Sequence, residues 1–161
     1  MAYLPVEGAV KYNFYTPVDY IAGRTMHEAL DIIVPSSYQI KAIVPGKIIE
    51  IINLYGEYPN SGFGNELWIE YDTGIVGRLC HIHKDSFKVG AGQVVDIGDI
   101  LAYVGRSGYV SPKSLWHTHY EEYKNYAAYE AYQKNHQVKN VRIDPLTSNN
   151  QAYMGRLEDL E

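Results

Sequence analysis

The sequence predicts a mostly β fold, an antiparallel sheet or sandwich with one helix near the C-terminus. Three observations lead there: β-branched runs broken by Pro, Ser and Gly, glycines at 90, 92, 98, 105 and 108 between short apolar runs, and one stretch of helix-favouring Ala and Glu. In chain order, DIIVPSSYQIKAIVPGKIIE (31–50) reads as strands and turns, because Pro35, Ser36, Ser37, Pro45 and Gly46 interrupt it too often for a helix. IIEIINLY (48–55) is a further strand, and GEYPNSGFGN (56–65) is a loop. ELWIEY and IVGRLCHIH flank Asp72, Thr73 and Gly74, the composition of a hairpin turn. EEYKNYAAYEAYQKNH (121–136) is the helix: Tyr123, Tyr126, Tyr129 and Tyr132 recur every third residue, a stripe suited to packing on a sheet. Residues 147–161 are polar and read as a surface-hugging or frayed tail behind a domain spanning 1–146.

A chain of 161 residues buries a core without disulfide staples. The formal charge of -5 and the lack of clustered Lys and Arg exclude a nucleic-acid binder. The single cysteine, Cys80, rules out a multi-cysteine zinc site within the chain, which moves any metal chemistry onto histidines and carboxylates. MAYLPVEGAVKYNFY lacks the basic start and apolar core of a secretory signal, and no run approaches a membrane span.

Five of the six histidines fall into three short motifs separated by β-rich sequence. In WHTHYEEY (116–123), His117 and His119 project to one side of a strand, whereas in a helix they would stand about 200° apart. Trp116, Thr118 and Tyr120 then form a core-packing set on the other face. LCHIH (79–83) carries His81 and His83 at the same spacing, with Cys80 facing away from both as a small buried residue. In MHEALDI (26–32), Asp31 opens a strand and His27 sits in the bend before it. An extended chain would separate their α-carbons by about 13 Å, so shared coordination requires the backbone to curve. His136, in the polar QKNHQ, is read as a structural or merely exposed residue. Two histidines and one aspartate leaving a position open for water form a recognised hydrolase zinc site, although nitrogen and oxygen donors alone admit other transition ions.

On these motifs the chain resembles the lysostaphin-like zinc metallopeptidases, a family of peptidoglycan endopeptidases. The family's early His-x-x-x-Asp, lone mid-strand His and closing His-x-His read here as His27 with Asp31, His81, and His117 with His119. GFGNELWIEYDTG resembles its Gly-rich loop and hairpin, VGAGQVVDIGDILAYVGRSG its Gly-punctuated run, and IDPL (143–146) its closing segment. The resemblance implies that His27, Asp31 and His119 hold Zn2+, and that His81 and His117 line the site as catalytic groups. Spacing alone admits His81 or His83; the register of the family motif selects His81. Departures are Ala29 where the family usually has Gly, Ser114, Leu115 and Trp116 ahead of the last motif, and a Tyr-rich insert over 123–142.

By the same resemblance the partner is bacterial peptidoglycan and the place of action is the extracellular cell wall. With no export signal read in the sequence, the expected routes there are phage virion proteins or a lysis system, or origin as a domain cut from a longer protein. His117 is expected to accept the proton of water and His81 to bind the oxyanion or share the proton work; which one is the base stays open in the sequence. The loop over 56–65 and the turn over 105–108 are expected groove walls, with Tyr58, Phe63 and Tyr109 as contacts. Two rivals remain. A non-catalytic wall-binding or structural relative should lack ligands that this chain keeps. A biotinyl or lipoyl carrier, suggested by VPGKIIEI, needs an exposed Lys between methionines that is absent.

Overall fold

Alternating side chains along the β-branched runs produce one large sheet whose two faces have different tasks. The computed structural model describes residues 3–12, 14–18, 25–57, 62–110 and 112–159. Its strands are β1 (Ala9–Tyr12), β2 (Thr16–Val18), β3 (Thr25–His27), β4 (Leu30–Val34), β5 (Gln39–Lys41), β6 (Gly46–Ile52), β7 (Asn65–Tyr71), β8 (Val76–Ile82), β9 (Val94–Val95), β10 (Ile100–Tyr103), β11 (Trp116–Tyr123) and β12 (Arg142–Ile143). Helix α1 (Tyr126–Lys134) lies before β12, and α2 (Asn149–Asp159) closes the described chain. The large sheet runs β1-β4-β11-β8-β7-β6-β9, with β12 on the end of β11; β5 pairs with β10, and β2 with β3. The pairings within these sheets are antiparallel.

One face of the large sheet buries Leu30, Ile32, Leu67, Ile69, Leu79 and Tyr120 against Ile40, Leu101, Ala102 and Val104 from the β5-β10 layer. The other face carries a second apolar cluster at one end, where Trp68, Val76 and Tyr123 meet Ala128, Tyr129 and Tyr132 of α1. The predicted hairpin lies between β7 and β8: Gly74 takes φ 88 and donates its N–H to Tyr71 O at 2.8 Å. A side chain at that φ would be strained, which is why glycine suits the turn.

The helix predicted over 121–136 starts later than expected. Residues 121–123 are strand, because Glu121, Glu122 and Tyr123 pair with Arg78, Gly77 and Val76 of β8, and those ladder bonds override local helix preference. The helix begins only where the Asn125 side chain accepts the N–H of Ala128 as an N-cap. The expected tail is helical over Asn149–Asp159, and buried Asn150 in its first turn accepts from Thr73 Oγ1 (2.6 Å) and donates to Glu122 Oε2 (3.0 Å).

Candidate metal centre

Strand β11 sits between β4 and β8, so its register decides what surrounds the paired histidines. His119 is opposite Asp31 of β4 and Cys80 of β8, while His117 is opposite Ile33. Directly paired residues share a face, so Asp31, His117 and His119 point away from the main core together. His27 ends β3 rather than lying in the bend itself, and the chain turns through Glu28 and Ala29 before β4. That curve brings His27 Nε2 to 3.4 Å from Asp31 Oδ2.

His119 Nδ1 stands 3.2 Å from Asp31 Oδ1. One donor atom from each of His27, Asp31 and His119 lies within 4.8 Å of the others, and all three residues are buried. A tetrahedral zinc with bonds of about 2.0–2.2 Å sets neighbouring ligand atoms roughly 3.3–3.6 Å apart. His27 lies 3.4 Å from Asp31 Oδ2 and His119 3.2 Å from Asp31 Oδ1, so each imidazole is near that spacing from one carboxylate oxygen, and the two-imidazole, one-carboxylate donor set fits the ion chemically.

His81 reaches the same face by breaking strand alternation. Between β7 and β8, Asn65 pairs with Ile82 and Leu67 with Leu79, so β8 contains one extra residue, and His81 takes φ 60. A left-handed imidazole in a β-bulge is strained backbone used to re-aim a side chain. Leu79 and Ile82 both remain in the main core, while the His81 ring lies 4.7 Å from His117 between centroids. The expectation for Cys80 is corrected as well. It does not face away: its pairing with His119 puts it on the site face. It is fully buried there, and burial pushes its thiol well above the ordinary range, so it remains an inert small side chain. His83 diverges to the rim, 43% exposed, with Nδ1 3.5 Å from Glu57 Oε1.

The wall beside His81 is backbone pressed on backbone. A Cβ on Gly64 would come within 2.4 Å of the Ser107 carbonyl carbon, and one on Gly108 within 2.4 Å of Gly64 N. This contact holds the Ser107 carbonyl 2.7 Å from His81 Nδ1. The exposed Phe63 ring lies against the site, its centroid 5.2 Å from that of His119, and Tyr109 is exposed with its N–H on Gly62 O. Tyr58 and residues 59–61 of the expected groove wall fall outside the described residues.

The electrostatics suit a cation. Burial alone would raise the Asp31 pKa, but hydrogen bonds from His119 and His27 hold the carboxylate well below its usual range. Burial opposes charge on His119 as well, yet its contacts with Asp31 and Glu121 raise it to about 9. Burial, then the nearby His117 and His119, lowers His81 to about 3, and burial also lowers His117. A neutral His81 therefore donates Nδ1–H to Ser107 and keeps Nε2 as an acceptor. Sequence reasoning missed Glu121, whose Oε2 lies 2.8 Å from His119 Nε2; continuing the period of two from His117 and His119 was the available signal.

The lysostaphin of Staphylococcus simulans is 29% identical over 111 residues, 69% of this chain and 21% of that protein. The glycyl-glycine endopeptidase ALE-1 of Staphylococcus capitis is 29% identical over 99 residues, 62% of this chain and 25% of that protein. The chain thus spans a fifth to a quarter of the length of these two relatives. Among solved structures, LytU aligns with TM-score 0.64 at 26% identity, covering 86% of this chain and 81% of that one. The catalytic domain of the S. simulans antimicrobial peptidase lysostaphin aligns with TM-score 0.64 at 23% identity over 92% of each chain, a likeness of fold. The model of peptidase family M23 matches residues 25–138, a span that includes every residue of the His-Asp-His cluster together with His81 and His117, and this chain belongs to that family.

Proposed function

We propose that the chain is a zinc-dependent endopeptidase that hydrolyses peptide bonds in the stems or cross-bridges of bacterial peptidoglycan. The observation that carries this reading is the convergence of His27, Asp31 and His119 donor atoms beside two further buried imidazoles. The names of the relatives, a glycyl-glycine endopeptidase and an antimicrobial peptidase, favour a small-residue peptide of the bacterial wall as substrate.

His27, Asp31 and His119 would hold the metal. A zinc ion bound there supplies Lewis acidity, polarising the scissile carbonyl and acidifying water. The chain's own groups then handle the protons. His117 Nε2, 4.0 Å from Asp31 Oδ1, faces the ligand set and is assigned to take a proton from the nucleophilic water and pass it to the leaving amine. His81 has spent its only N–H on Ser107, so while neutral it cannot donate to an oxyanion. Its Nε2 instead accepts a hydrogen bond from that water and orients it. Phe63 limits solvent entry above His119.

The test is to purify the chain, measure metal content, and follow solubilisation of several peptidoglycan types and cleavage of glycine-containing peptides. We expect about one zinc per chain and activity lost on chelation or in His119→Ala. Undiminished cleavage by the metal-free variant would sink the mechanism; zinc uptake without cleavage of any wall peptide would sink the substrate assignment.

A further inference from the structure

Two residues beyond His119 on the same strand face, Glu121 is buried and divides its two oxygens between different partners. Oε1 accepts from Tyr123 Oη at 2.6 Å and Arg78 Nη1 at 3.2 Å, with Arg142 Nε 3.4 Å away. Oε2 faces His119 Nε2 at 2.8 Å. With the cationic and hydroxyl donors gathered on Oε1, the carboxylate presents Oε2 to an N–H donor; once zinc occupies the Asp31 side, that acceptor favours the His119 tautomer protonated at Nε2. In that tautomer the free lone pair is on Nδ1, the nitrogen that faces Asp31.

The donors are themselves fixed. Arg78 also gives Nε to Glu66 Oε1 at 2.6 Å and Nη1 to Tyr132 Oη at 3.0 Å, and its guanidinium lies 4.1 Å from the Phe63 ring and 4.8 Å from Trp68. Arg142 gives Nη1 to Glu28 Oε2 at 2.9 Å, next to His27 in the chain. Tyr132 belongs to α1 and Arg142 to β12, so the Tyr-rich segment after the last motif reaches His119 through this carboxylate.

We propose that Glu121 is the positioning residue of the metal site: it keeps the His119 proton on Nε2 and turns Nδ1 toward the ion, braced by Arg78, Tyr123, Tyr132 and Arg142. The inference rests on the zinc reading above. Its test is Glu121→Gln. The donors around Oε1 would claim the amide oxygen and leave the NH2 group facing His119, which favours the opposite tautomer and blocks the Nδ1 lone pair. Zinc affinity, read by competition with a chromogenic chelator, should fall about 10–100-fold, while the metal-free variant melts within a few degrees of wild type. The second measurement uses wild type alone: nitrogen NMR of the zinc-loaded protein should find a slowly exchanging proton on His119 Nε2. Zinc affinity within twofold of wild type in Glu121→Gln, or a proton on Nδ1, overturns the proposal. Should wild type take up no zinc, the proposed function and this role fall together; zinc bound with a proton on His119 Nδ1 overturns this role alone.

Discussion

Glu121 and Glu122 are neighbours in sequence, and both are buried on β11, yet they live in opposite electrostatic worlds. Glu121 lies on the site face among Arg78, Arg142 and His119. Burial would raise its pKa, but Arg78 foremost, then His119, holds it well below the ordinary range. Glu122 lies on the other face, where its hydrogen bonds come from neutral donors, Tyr120 Oη at 2.5 Å and Asn150 Nδ2 at 3.0 Å, and burial raises its pKa. One face of the strand is built to keep charge and the other to keep it out. The lesson is that residue type does not fix a buried carboxyl's state; the side chains brought to it by neighbouring strands do.

The sharpest test of that contrast substitutes each face in turn. His81→Gln on the site side should lower kcat about 10²-fold with zinc content unchanged, since it disturbs an orienting acceptor and removes no ligand. Thr118→Val on the opposite side should leave peptide cleavage unaltered. Its hydroxyl is buried without a hydrogen-bond partner among the described residues, so the swap removes nothing the fold uses. Equal losses in both variants would mean that the faces are not functionally distinct.

Arg78→Met comes next in size. It strands Glu66 and Glu121 as buried carboxylates without their main cation, and breaking such a group costs about 3–5 kcal/mol, to be read by urea denaturation of the metal-free protein. Wild-type stability in this variant would show that the brace carries no charge compensation.

The smallest effect is expected at Glu122. Its folded pKa lies above the unfolded value near 4.5, so its stabilising contribution is complete below that pH and is lost as pH rises through the folded pKa. Glu122→Gln keeps a neutral side chain at every pH and should melt higher than wild type at neutral pH. The gap should close as the solution is acidified below about 4.5. A gap that persists in acid would assign the gain to packing and not to charge.

Much of the plan was legible in the residues. The period of two in His117-Thr118-His119 put both imidazoles on one face, the Asp72, Thr73 and Gly74 turn marked the hairpin, and the step from His27 to Asp31 demanded the curve that the chain makes. Other features depend on partners distant in sequence. The bulge that swings His81 to the site face beside Cys80 comes from two residues of β8 standing against one of β7, and nothing in LCHIH announces it. The start of α1 was misplaced because residues 121–123 have helix-compatible side chains but are claimed by β8. Helix α2 escaped notice because its sequence is polar, and it docks through hydrogen bonds of Asn150 with Thr73 and Glu122 and of Gln151 with Tyr3, beside Tyr153 and Met154 packed on the core.

By itself, the sequence determined which chemical groups exist and which of them alternate onto one side of a strand, because backbone geometry imposes that period locally. Only the tertiary structure decided which strands adjoin, and so which nitrogen of His119 meets Asp31, which glutamate meets arginine, and which histidine departs from its strand's alternation. Those outcomes rest on contacts between segments far apart in the chain, such as the 88 residues from Asp31 to His119, and on a low-dielectric interior where a shift of one neighbour changes the charge a group can hold.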